Sequence, residues 1–234
     1  IYDKARLPAS FVGHPAADRL PLIPHRQKAR ESLGIAAKAT VLALLPGSRR
    51  QEVVTLLAIF LKAAEILERK YPHLQVVLPI ANAHVRYTIE HIVDQSSVKV
   101  TCLLSEGNSS EALAAADVVL VASGTATLET LLSKRPMVVA YRTSPMTAWL
   151  LRTFRLMKAP FFAQPNLLAG RKVVEEWFQE EVTPERLAAG LEYWLTHQDA
   201  VIELETLFAH IHESLKKDAS QQAATVVIDE WQRV

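Results

Sequence analysis

The sequence predicts an α/β protein: a doubly wound parallel sheet followed by a helical C-terminal tail. Three observations carry this. Short runs rich in Val, Leu and Ala at 41–45, 74–78, 98–104, 118–122 and 136–141 are bounded by turn residues, as strands covered on both faces are. Between them lie helical patterns, best seen in 52–70, where Val53, Leu56, Leu57, Phe60, Ala64 and Leu67 share one face. After Thr183 every signal is helical. Strands alternating with helices give stacked βαβ units and hence a parallel sheet.

In chain order, residues 1–40 form an approach segment. Pro8, Pro15, Pro21 and Pro24 break it, and only 26–33 reads as helical. The strand 41–45 leads into the turn Pro46-Gly47-Ser48-Arg49, and Pro72 ends the helix 52–70. The strand 74–78 precedes a loop with Asn82 and a helix at 85–93. The strand 98–104 precedes a loop at 105–109 and a short helix at 110–116. Asp117 opens the next strand, Ser123-Gly124 turns, and a helix starts at Thr125. The strand 136–141 is followed by a helix at 144–157, broken by Pro160 and Pro165, which leaves Asn166 in a loop. Thr183-Pro184 pairs an N-cap with Pro at the first helical position, so a helix runs to about His197. Two more follow, near 201–217 and 220–232. The expected division is an approach segment at 1–40, a ligand-binding domain at 41–182 and a helical segment at 183–234.

Half of the 234 residues are hydrophobic, which suffices for a large core. Cys102 is the only cysteine, so an internal disulfide and a cysteine-only metal cluster are excluded. No apolar run reaches the ~18 residues of a membrane span. The chain starts at Ile1 rather than Met, as a fragment would. Net charge is +1, unevenly spread: 130–174 holds no acid but eight basic residues, from Lys134 and Arg135 to Arg171 and Lys172, and acids dominate from Glu175. Such a block marks an anionic partner or two mutually attracting faces of one fold.

In a doubly wound sheet, ligands bind beyond the carboxyl ends of the strands. Each loop of interest lies at such an end. After 118–122, the turn Ser123-Gly124 and the helix start Thr125-Ala126-Thr127 offer backbone N–H groups and a positive helix end to a phosphate. Glu129, one turn further, suits a ribose diol. An ordinary strand–turn–helix joint with a surface glutamate has the same pattern. After 41–45, Gly47 permits a tight turn, Ser48 offers a hydroxyl, and Arg49 offers a planar cationic fork matched to a diphosphate. The loop lacks the Gly-Lys-Ser/Thr ending of a Walker motif. Asn82 and Arg142 sit in further loops at this edge, and Asn166 sits in another predicted loop, either on ligand or capping its own turn. His14, in Gly13-His14-Pro15, reads as a turn-packing histidine. His73, His84 and His91 lack metal-ligand spacing, and neither metal nor cofactor is expected. Nor is a nucleic-acid partner. Residues 145–162 are apolar and basic together, which suits an anionic membrane surface or acyl chains; a helix packed on the sheet explains the same composition.

Several segments resemble the lipid-A-disaccharide synthase family: Phe11-Val12-Gly13-His14-Pro15, Ala43-Leu44-Leu45-Pro46-Gly47-Ser48-Arg49 with Glu52, and Ala122-Ser123-Gly124-Thr125-Ala126-Thr127-Leu128-Glu129. Pro136-Met137-Val138-Val139-Ala140-Tyr141-Arg142 and Pro165-Asn166-Leu167-Leu168-Ala169-Gly170 continue the series in the same order. The resemblance implies a Rossmann-like domain, the C-terminal half of a GT-B glycosyltransferase. It implies transfer of 2,3-diacylglucosamine from UDP to 2,3-diacylglucosamine 1-phosphate (lipid X), with inversion, giving a β(1→6) disaccharide. The donor would meet Ser48, Arg49, Asn82, Ser123, Gly124, Thr125, Ala126, Thr127, Glu129, Arg142 and Asn166, with uracil at the backbone of Leu103 and Leu104. The resemblance further implies a peripheral enzyme on the cytoplasmic face of the bacterial inner membrane, and a homodimer with exchanged C-terminal segments. The catalytic base falls in the family's N-terminal half, which has no counterpart in 1–40, so the chain alone is expected to be inactive. A UDP-sugar 2-epimerase and a non-catalytic nucleotide-binding or membrane-docking module are the alternatives.

Overall fold

A computed structural model of the chain describes residues 9–104, 108–143 and 160–232. The helix expected over 144–157, most of the apolar and basic run, and part of the loop at 105–109 lie outside the described residues. Six strands form one parallel sheet: β1 (Thr40–Leu45), β2 (Leu74–Ile80), β3 (Val100–Leu104), β4 (Val118–Ala122), β5 (Met137–Tyr141) and β6 (Glu175–Phe178). Their order is β3-β2-β1-β4-β5-β6. The chain works outward from β1 in one direction, then returns to β1's other side with β4. The gap between the carboxyl ends of β1 and β4 is therefore the topological switch point, where doubly wound sheets hold ligands.

Helices cover both faces, as the continuous apolar strands require. They are α1 (Pro15–Arg19), α2 (Arg26–Ser32), α3 (Arg50–Glu68), α4 (Ala83–Val93), α5 (Asn108–Ala115), α6 (Thr125–Leu132), α7 (Gln164–Ala169), α8 (Pro184–Thr196), α9 (Gln198–Leu215) and α10 (Ala219–Gln232). On α3, Val53, Leu56, Leu57, Phe60, Ala64 and Leu67 are all buried, the face the periodicity predicts. Thr183 caps α8 through its side chain, with Pro184 at the first helical position.

Three expectations change. Asn166 lies in helix α7 rather than a loop, because Pro165 sits in the first turn, where its missing N–H costs nothing. Strand β6 extends the predicted sheet: its acidic sequence hides it, but among the described residues it pairs with β5 alone and so sits at an edge. Lys134 and Arg135 do not belong to a basic surface. Both are buried, and their donors go to backbone carbonyls of Leu132, Leu113 and Ala114.

The approach segment is tied to the C-terminal helices. His14 caps α1 by accepting from the Ala16 N–H, and its own N–H donates to the Leu215 carbonyl. The Asp18 carboxylate accepts from the N–H groups of Ala219, Asp218 and Lys217, and these bonds hold it below the usual carboxylate range. Beneath them, His212 is fully buried. Its Nε2 faces the Ala17 carbonyl at 2.8 Å, and its Nδ1 faces the Lys134 ammonium. A ring accepting from an ammonium at Nδ1 is the neutral tautomer, with its proton on Nε2 donated to Ala17. Burial, and then the Lys134 charge, hold this imidazole below its ordinary value. Lys134 itself is lowered to about 8 and stays charged at neutral pH.

A pH dependence follows. As pH falls through the ordinary histidine range, the unfolded chain takes up a proton that folded His212 refuses, so stability falls with acid. Urea unfolding between about pH 7 and 5.5 should show this decline, and His212→Gln should flatten it. An unchanged slope in the variant would place the acid sensitivity elsewhere.

Candidate functional site

Two loops meet at the switch point. The first follows β1. Gly47 adopts φ +114°, which glycine alone takes without strain. The chain then enters α3 with Arg49 at the N-cap. Glu52, three residues on, folds back over this turn: its Oε2 accepts from the N–H groups of Ser48 at 3.1 Å and Arg49 at 3.3 Å. Its Oε1 accepts from Arg49 Nη1 at 2.9 Å. This is the reciprocal end of a capping box, and the signal is present in the sequence as a Glu at N3. Glu52 fills the space beside Gly47 so closely that a Cβ there would lie 2.3 Å from its Oε2.

The second loop follows β4. Gly124 adopts φ +145° and is the N-cap of α6. The hydroxyl and N–H of Thr127 both donate to the Gly124 carbonyl, at 2.7 and 3.1 Å, and close the first turn. The N–H groups of Thr125 and Ala126 have no acceptor among the described residues, as at any helix start. They sit at the positive end of α6. Glu129, one turn in, is half-buried, and its carboxylate has no hydrogen-bond partner among the described residues. Burial raises its pKa, partly offset by Arg19.

Between the loops lies a cleft of about 400 Å³, lined by Pro46, Gly47, Ser48, Arg49 and Glu52 from one side and Ser123, Gly124, Thr125, Ala126 and Glu129 from the other. The end of β2 closes it with Pro79, Ile80 and Ala81, and Ser109 of α5 adds a hydroxyl. Volume and lining suit a small polar ligand. The cleft can hold a dianion between Arg49 and the α6 start, and Glu129 adds an acceptor for hydroxyls. Arg49 is 83% exposed at its side chain, and Glu52 engages only one of its nitrogens.

Of the residues singled out from sequence, Ser48, Arg49, Ser123, Gly124, Thr125, Ala126 and Glu129 converge here. Thr127 is buried behind the turn. The backbone of Leu103 and Leu104 ends β3, paired with the end of β2, with Leu104 opposite Ile80. Asn82 turns back: its Nδ2 donates to the Ser48 carbonyl at 3.0 Å and its Oδ1 accepts from the His84 N–H, so it caps α4 and braces the first loop. Asn166 is fully buried. Its Oδ1 accepts from the N–H groups of Val173 and Val174, and its Nδ2 donates to the Val174 carbonyl. Arg142 is exposed after β5 and does not line the cleft. Pro79, Ile80 and Ser109 carry no local signal of the site in the sequence, because their place depends on strand order.

Similarity to known proteins extends over nearly the whole chain. A family model described as lipid-A-disaccharide synthetase matches residues 1–228. The lipid-A-disaccharide synthase of Erwinia tasmaniensis is 45% identical over 229 residues, which are 98% of this chain and 60% of that protein. The chain thus spans about three-fifths of the length of the curated relatives it matches. Among solved structures, the C-terminal CMP-Kdo binding domain of WaaA from Acinetobacter baumannii aligns with a TM-score of 0.52 at 12% identity, covering 81% of this chain and 97% of that one. The UDP-GlcNAc 2-epimerase of Neisseria meningitidis aligns at 0.53 and 13% identity, over 86% of this chain and 48% of that one. At such identities the likeness is one of fold. The sequence matches decide the family: the chain belongs to the lipid-A-disaccharide synthetases.

Proposed function

We propose that this chain is the UDP-donor-binding portion of a lipid-A-disaccharide synthase. The whole enzyme transfers 2,3-diacylglucosamine from its UDP carrier to 2,3-diacylglucosamine 1-phosphate, giving the β(1→6) disaccharide and UDP by a single inverting displacement. The observation that carries the reading is the convergence of two anion-suited turns and a half-buried, unpartnered carboxylate on one cleft at the switch point. The diphosphate lies between Arg49 and the free N–H groups of Thr125 and Ala126, and Glu129 takes the ribose hydroxyls. Uracil reaches the backbone at Leu103 and Leu104, next to the strand end that closes the cleft. Asn82 and Asn166 serve the donor through the loops they brace.

As the bond from the anomeric carbon to the diphosphate breaks, negative charge grows on the leaving oxygen. Preorganised donors meet it without reorientation, a contribution of several kcal/mol in comparable sites. No group of this chain is assigned as the base, which we place in the remainder of the whole enzyme. The acylated substrates imply an anionic membrane surface on the cytoplasmic side, supported by the apolar and basic run at 145–162. Among the described residues, no helix is long and apolar enough to cross a membrane. An exchanged dimer is supported by α10, where Val227, Ile228 and Trp231 are 67%, 51% and 79% exposed.

The test is UDP binding by calorimetry. Arg49→Ala should weaken it by about 1–3 kcal/mol, the scale of a lost charge-assisted hydrogen bond. Equal affinity in variant and parent would remove Arg49 from the site.

A further inference from the structure

At the opposite end of the strands, below the amino ends of β1 and β4, lies a second cavity of about 450 Å³. Its wall sets four cations, Arg26, Arg30, Lys38 and Arg135, against two carboxylates, Asp117 and Glu205. Two of the guanidiniums are buried. The C-terminal carbonyls of α5 account for that burial: Arg30 Nε donates to Ala115 at 3.0 Å, and Arg135 Nε and Nη2 donate to Leu113 and Ala114 at 3.1 and 2.9 Å. They do not account for the rest of the cluster. Asp117 is fully engaged, accepting from Arg26, Arg30 and the Val41 N–H. Arg135 Nη1 has no hydrogen-bond acceptor among the described residues. It faces only Glu205, 3.7 Å away on a side chain that is 40% exposed. Burial, and then the charge of Arg26, push Arg135 below its ordinary range. Arg26 and the exposed Lys38 add charge at the rim of the same cavity. The cluster is thus a buried donor with an open nitrogen, crowded by like charges, beside a space that small anions can enter.

We propose that this cavity binds a phosphate-sized oxyanion, inorganic phosphate or a small phosphomonoester, held between Arg135 and the rim cations Arg26 and Lys38. A tetrahedral oxyanion offers the acceptors that Arg135 Nη1 and the lysine point charge lack, and it relieves their mutual repulsion. The site lies at the other end of the strands from the cleft and does not depend on the function assigned to the cleft.

Inorganic phosphate is titrated into the protein at constant ionic strength, with chloride as the balancing anion, and read by melting temperature and calorimetry. The parent should show a saturable rise in melting temperature, as binding to the folded state requires. Arg26→Gln/Lys38→Gln should raise the phosphate Kd by about tenfold or more, the equivalent of one lost charge-assisted contact. Glu205→Gln should lower it, because the competing carboxylate is gone, and this variant leaves the buried core untouched. Arg49→Ala should not change it. The proposal is overturned if the parent shows no saturable response, or if the response is indifferent to both rim variants. It is also overturned if Arg49→Ala abolishes the response, which would put the phosphate in the cleft.

Discussion

Asp117→Ala should destabilise the chain by about 3–5 kcal/mol, the cost of leaving a buried charge without its partner. The carboxylate takes the Arg30 Nη2 at 2.8 Å and the Val41 N–H at 2.8 Å, and it also pairs with Arg26. The Arg30 side chain is 6% exposed and cannot turn to water. Its other nitrogens hold the carbonyls of Ala115, Ala37 and Ala39, so removing Asp117 strands a guanidinium that joins α2, α5 and the entry to β1. Asp117→Asn keeps an acceptor for one of these donors and should cost less. In urea unfolding, the midpoint of Asp117→Ala should fall while the slope stays constant, which marks a change of stability rather than of exposed area. A loss below about 1 kcal/mol would mean that solvent replaces the carboxylate, contrary to the burial of Arg30.

Asp117 also shows where sequence reading stops. As a turn residue before a Val-rich run it marks the start of β4, and the run itself announces a buried strand. Nothing in local spacing couples it to Arg26 and Arg30, some ninety positions earlier. The same division holds elsewhere. Helices and central strands were legible because their signals, a 3–4 residue repeat and unbroken apolar runs, are local consequences of burial. Strand β6 was not, because Glu175-Glu176-Trp177-Phe178 carries charge that only an edge position tolerates, and edge position is a property of topology. The two glycine turns of the cleft were legible, since a positive φ and a helix start are short-range features. Asn166 is ambiguous in sequence, as an amide serves a ligand and a backbone equally well, and Asn82 is expected on the donor; in the fold both amides bond the backbone, Asn166 from a buried position. Lys134 and Arg135 looked like part of a basic face until their carbonyl partners placed them inside.

Gly47→Ala should damage UDP binding on the same scale as Arg49→Ala, through a residue with no side chain of its own. Two penalties combine. A φ of +114° lies outside what an alanine adopts freely, and holding it there costs about 1–3 kcal/mol. The new Cβ would also stand 2.3 Å from Glu52 Oε2 and 2.7 Å from the Glu52 Cβ, closer than real atoms approach. The carboxylate tip can rotate, but the Cβ of a residue in the first turn of α3 cannot. The loop must therefore shift, and with it the Ser48 and Arg49 N–H groups that Glu52 holds and the Arg49 guanidinium that lines the cleft. UDP affinity should fall by about ten- to a hundredfold, or roughly 1.4–2.8 kcal/mol. Gly34→Ala is the matched control: its φ of +66° is also left-handed, but no atom lies within 4 Å of the added methyl, and it is remote from the cleft. It should lose about 1–2 kcal/mol of stability and leave UDP binding intact. If Gly47→Ala melts like Gly34→Ala and binds UDP like the parent, the β1–α3 turn has no part in holding the diphosphate, and the α6 start carries it alone.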